Sequence, residues 1–221
     1  MSRFVRRYLD PASQLSEILF GLIMVLTVTL TAGLSVAEGK AGVRQLLIAV
    51  IGCNLAWGII DAVMFVMNNI TLRSLQSRFV HTIQHAPDKQ TALKLIRNEI
   101  EARLGLHSPL DPQDSHMLSE SLHKRAEEMK VPNVKIEGED IYGAIACFWL
   151  VTVSCLSAAV PFFIFSQPIL ALRVSNALLI VLLYLVGRRW ARYAGTNRLL
   201  TGLSMVAIGL ALVGVSILLG G

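Results

Sequence analysis

The sequence predicts an all-α integral membrane protein with five transmembrane helices and a cytoplasmic helical insert between the second and third. Three observations predict it. The 221 residues are 54% hydrophobic with a mean hydropathy of +0.59, too apolar for a fully hydrated surface. Charged residues crowd between Arg73 and Asp140 and thin out on either side. Five apolar stretches approach the roughly 20 residues a helix needs to cross about 30 Å of hydrocarbon.

Those stretches are residues 15–35, 46–67, 142–165, 170–186 and 199–219, the fourth only just long enough. In lipid each must satisfy its own backbone, and a helix does so. The chain therefore divides into residues 1–67 with the first two spans, an insert over 68–140, and 141–221 with the last three spans. A second reading of the first span is a signal peptide, because Arg3, Arg6 and Arg7 precede it and Ser35-Val36-Ala37 resembles a cleavage site. Its length and the early Glu17 favour a retained helix.

Basic residues set the orientation. Of the 20 Lys and Arg, seventeen fall before span 1, in the insert, or between spans 4 and 5. Only Lys40, Arg44 and Arg173 lie on the other side. The positive-inside rule puts the N-terminus and insert in the cytoplasm and the C-terminus outside. The short loops and the lack of a transit peptide point to a bacterial inner membrane. The positive charges flank apolar segments rather than stacking aromatics, so nucleic acid is not an expected partner. The sequon Asn69-Ile70-Thr71 falls on the cytoplasmic side, where it goes unused.

Within the insert, Leu72, Leu75, Phe79 and Ile83 continue the second span as an amphipathic helix into the cytoplasm. Two more helices are predicted at 89–104, closed by Gly105, and at 114–129, closed by Pro132.

Ionisable groups inside spans are costly and mark candidate sites. Glu17 and Asp61 lie on the cytoplasmic half of spans 1 and 2, at depths that differ by about 5 Å. If those helices pack face to face, the two carboxylates can address one cation. The same faces carry Met24 on span 1, and Asn54, Trp57, Gly58 and Met64 on span 2. Carboxylate oxygens suit divalent cations, and thioethers add affinity for softer transition metals. The alternative is that Glu17 snorkels, Asp61 pairs with an arginine, and the methionines fill space.

All five histidines lie in the insert. His81 and His85 are four apart, and His116, Glu120 and His123 share a face at i, i+4 and i+7, so each set is either a partial metal site or a solvated face. Cys53, Cys147 and Cys155 fall in apolar stretches and read as packing residues. No phosphate loop, zinc-protease helix or nucleophile elbow is present, so neither an enzyme nor an organic cofactor is expected.

The layout of two helices, a helical insert and three helices resembles the vacuolar iron transporter family. So does Ser16-Glu17-Ile18-Leu19-Phe20-Gly21, which is similar to that family's acidic, apolar, Phe-Gly opening. The small-residue run from Ala144 to Pro161 and the Gly-spaced run from Gly202 to Gly214 are similar as well. The chain departs where the family has Asn-Asp-Gly and it has Ile23-Met24-Val25, and where Gly-Glu-Tyr gives way to Gly58-Ile59-Ile60-Asp61. The insert is also poorer in paired Glu. It thus looks like a divergent member. The resemblance implies export of ferrous iron or manganese from the cytosol, a homodimer with the ion path between subunits, and an insert that captures metal first. The rival expectation is a scaffold or metal sensor that keeps the fold without transport.

Overall fold

The computed structural model describes residues 3–31, 39–104, 111–131 and 133–218. Every regular element among them is a helix: α1 (Arg3–Tyr8), α2 (Pro11–Thr31), α3 (Lys40–Gln84), α4 (Lys89–Leu104), α5 (Pro112–Glu128), α6 (Gly138–Ile164), α7 (Pro168–Ala194) and α8 (Arg198–Leu218). Five of these, α2, α3, α6, α7 and α8, are long and apolar enough to cross a membrane. The cleavage-like Ser35-Val36-Ala37, Gly105, His107, Pro132 and the last residue of span 5 lie outside the described residues.

The chain forms two compact units: residues 1–66 with 137–221, and residues 67–136. Helix α3 contributes its first part to one and its last part to the other.

In the first unit α2 is central. It packs on α6, α7 and α8, and buries Leu15, Leu22, Val25 and Leu26 against Leu46 and Val50 of α3, Cys155 and Ala158 of α6, and Leu179 and Leu183 of α7. Helices α7 and α8 form a hairpin whose turn needs glycine. Gly195 ends α7 at φ +66, the left-handed region that costs an L side chain strain. The hairpin crosses at Gly187, where a Cβ would sit 2.8 Å from both the Gly202 Cα and the Thr201 carbonyl oxygen. Small residues at this spot let the two backbones touch.

Two features correct the sequence reading. The fourth span is not marginal: α7 has 27 residues, because it continues past the apolar run through Arg188, Arg189 and Arg192. Arginines at a helix end extend toward water while their stems cover apolar surface. The N-terminal arginines also belong to a helix of their own. In α1, Val5 is buried with Leu9 against Ala146, Cys147 and Leu150 of α6, while Tyr8 stacks on Tyr142 at 5.3 Å. Gln14 holds the α1–α2 turn by donating to the Leu9 carbonyl at 2.6 Å.

The second unit packs Phe79 and Ile83 of α3, Ala92 and Ile96 of α4, and Ala126 of α5 around a small core. Asp88 caps α4 by accepting from the Thr91 N–H at 2.8 Å and the Thr91 hydroxyl at 2.9 Å. Those bonds hold the Asp88 carboxyl below the usual aspartate range. Gln84 donates through Nε2 to the carbonyls of Ala126 at 2.7 Å and Met129 at 2.8 Å, satisfying acceptors that the end of α5 would otherwise orphan. Arg73 donates to the Lys135 carbonyl at 2.9 Å and ties the segment after α5 back to α3.

Candidate functional site

The site begins with helical geometry on α3. Residues advance about 100° each, so Asn54, Gly58, Asp61 and Phe65 fall on one narrow stripe. That stripe faces inward: Asn54 is 0% exposed, the Cβ position of Gly58 lies 3.1 Å from the Phe148 ring of α6, and the Phe65 ring lies over Gly143. Trp57 and Met64 lie about 40° and 60° from Asp61 on the same side, at the edge of the stripe, and are 37% and 61% exposed. Met64 and Trp57 thus sit at the exposed edge of the Asp61 face, because spacings of three and four tolerate a broad arc and the helix contact uses only part of it.

On α2, Glu17 and Gly21 sit one turn apart and face α6, where Ser154 and the Val151 carbonyl crowd Gly21. A methyl at position 21 would displace the Ser154 hydroxyl and come within 3.0 Å of the Val151 carbonyl oxygen. Met24, one turn further, is half-buried.

These two stripes bring Glu17 and Asp61 together. Their carboxyl groups share a hydrogen bond, and the Cys147 thiol of α6 donates to Glu17. The remaining oxygens, Glu17 Oε2 and Asp61 Oδ2, are buried without a partner. So is Asn54 Oδ1, although the Asn54 amide donates to the Val50 carbonyl at 3.0 Å. Buried acceptors without donors are costly, and the free ends of two carboxyls are ligands of the kind hard divalent cations take, while Asn54 lies two turns, about 10.5 Å, along α3 from Asp61. A carboxyl-to-carboxyl hydrogen bond also needs a proton. The site can therefore hold either a proton between its carboxyls or a cation across their free oxygens. Among the described residues, no group of three or more His, Cys, Asp and Glu forms a metal-binding set, so any cation here would complete its shell with water or a second subunit.

Cys147 packs in the core with Val5 and Leu9, as its apolar surroundings predict, and adds a contact to Glu17 that the sequence does not reveal. The nearest signal in it is depth: Cys147 lies nine residues into α6 and Glu17 six into α2, about 13 and 9 Å from ends that approach each other.

The histidines are arranged differently. His81 and His85 on α3 stack ring on ring at 4.0 Å, and His85 Nδ1 bonds the His81 carbonyl at 2.9 Å. An imidazole nitrogen facing a carbonyl is a donor, which leaves only Nε2 of His85 for a ligand. On α5, His116 is exposed and His123 is 8% exposed, beside Glu127 at 3.7 Å. Glu120, between them in sequence, pairs with Lys89 of α4 at 3.0 Å. That bond and charge hold Glu120 below the usual glutamate range. The three do not meet at a common point. No family model matches the chain, and no match is found among curated proteins.

Proposed function

We propose that this protein moves a divalent transition metal, ferrous iron or manganese, out of the cytoplasm in exchange for protons, as a divergent member of the vacuolar iron transporter family. One observation carries the reading: Glu17 and Asp61, from different apolar helices, meet in a carboxyl pair with unpartnered inward oxygens. An ionisable pair at such a place is expensive to keep unless it handles an ion. The pair holds a proton when the metal is absent and releases it when the metal binds, so the two loads exclude each other and can be exchanged.

The orientation in this reading puts the N-terminus and insert in the cytoplasm of a bacterial inner membrane. It is supported by Arg6, Arg7 and Arg189 lining one cavity, which gathers arginines from distant parts of the chain at one end of the first unit. A homodimer fits the outer side of α3, where Ile48, Ile59, Ile60, Val63 and Met64 are exposed. In the dimer a second copy would supply the ligands that one chain lacks.

The test is uptake of ferrous iron and manganese into proteoliposomes under an imposed pH gradient, comparing the wild type with Asp61→Asn. Flux of either metal that the substitution abolishes supports the transporter. No flux of either metal from folded wild-type protein rejects it in favour of a scaffold or sensor.

A further inference from the structure

We infer that the first unit carries a binding site for one anionic glycerophospholipid, its phosphate held by Arg6, Arg7 and Arg189 and an acyl chain laid in the cleft between α2, α6 and α7. The inference is independent of metal transport and needs only that the chain sits in a bilayer.

Two adjoining cavities build the site. One, of about 490 Å³, is lined by Arg6, Arg7 and Tyr8 of α1, the α1–α2 turn, and Arg189 and Tyr193 of α7. The other, of about 500 Å³, is apolar: Leu22 of α2, Trp149 and Val153 of α6, and Leu182 and Leu185 of α7 are among its walls. Leu15 and Arg189 line both, so the two share a boundary with a guanidinium at it. This is the division an amphiphile has, with a charged head beside a long apolar tail.

The charge balance selects the sign of the head. Three arginines face a single acid, Asp10, and that carboxylate is engaged in capping α2 through the N–H groups of Ala12, at 2.9 Å, and Ser13, at 3.1 Å. Guanidinium groups present planar donor pairs that match phosphate oxygens, and Tyr8 and Tyr193 add hydroxyls at the level where aromatic residues meet headgroups. Basic pockets between membrane helices are recognition sites for anionic headgroups on general grounds. The walls are also fixed before a lipid arrives, since Tyr8 is stacked on Tyr142 and the turn is pinned by Gln14.

Native mass spectrometry of the full chain, released from nanodiscs holding equal amounts of phosphatidylglycerol and phosphatidylcholine, reads retention directly. The wild type is expected to retain phosphatidylglycerol at least about tenfold over phosphatidylcholine. The triple variant Arg6→Gln, Arg7→Gln, Arg189→Gln should lose that preference. The equally charged variant Arg3→Gln, Arg188→Gln, Arg192→Gln, outside the cavity lining, should keep it. Leu185→Trp, which fills the cleft and leaves the arginines, should lower retention. Equal retention of both lipids by the wild type overturns the proposal without recourse to any variant. An equal loss from both triple variants overturns it by tracing the effect to bulk charge. If inorganic phosphate displaces the lipid and Leu185→Trp has no effect, the site takes a free anion and the lipid assignment is wrong.

Discussion

The carboxyl groups of Glu17 on α2 and Asp61 on α3 share a hydrogen bond, although 43 residues of sequence separate them and each sits in a helix of membrane-spanning length. Helix α6 closes the pair from a third side with Cys147. A chain that needed only to span lipid would have no use for such a contact, and its surroundings yield predictions.

The buried oxygen of Asn54 costs stability. Replacing it with leucine, of similar shape, removes an acceptor that has no donor and should stabilise the fold by about 1 kcal/mol. Metal flux should fall only if the ion passes Asn54 on a path beyond the carboxyl pair, two turns away. Thermal unfolding in detergent beside the uptake assay checks both, and a destabilised variant with full flux would mean that the amide is structural.

Glycine at the α7–α8 crossing is required by contact, and at the turn by backbone conformation. Gly187→Ala should destabilise by about 1–3 kcal/mol, because its new methyl meets the Gly202 backbone. Gly195→Ala should cost about 1 kcal/mol through its left-handed φ. Gly214→Ala meets nothing within 4 Å and should be neutral. Melting curves of the three variants rank them, and an equal effect from all three would contradict the described crossing.

The sequence made the spans legible because the bilayer imposes a rule that is nearly one-dimensional: an apolar run of sufficient length must be a helix. It also brought Glu17 and Asp61 to similar depth on neighbouring helices, which was enough to pair them. Angles were less legible. Trp57 and Met64 satisfy the same spacings as Asp61 yet fall at the edge of the contact, since the stripe α6 covers is narrower than the arc those spacings allow. Helix α1 has six residues, too few to show a period. The shared face of His116, Glu120 and His123 was read from α5 alone, and the partner that claims Glu120, Lys89, comes from α4.

Acid should loosen the second unit. Glu120 and Asp88 are held below their ordinary values of 4.5 and 3.8, so the stability they contribute is present above those values and is lost as pH falls through the lower folded ones. Protection factors of the α4 and α5 amides, corrected for the intrinsic pH dependence of exchange, should therefore fall below about pH 4.5. Lys89→Gln should remove the Glu120 share of that dependence, while an unchanged profile would show that the ion pair has no part in it.

Gln84 is a long-range cap. Gln84→Ala leaves the Ala126 and Met129 carbonyls without their shared donor and should cost about 1–2 kcal/mol. The loss should show as faster hydrogen exchange at the end of α5, with α7 and α8 unaffected. Unchanged exchange at α5 would mean that water replaces the amide fully.

The central claim is that Glu17 and Asp61 work as one cation site, and a double-substitution cycle on metal flux tests it most directly. Ferrous iron or manganese uptake into proteoliposomes would be measured for the wild type, Glu17→Gln, Asp61→Asn and the double variant. Either single substitution should reduce flux to near background, with no further loss in the double, as expected when both groups serve one function. Wild-type flux that survives both substitutions together would contradict the account.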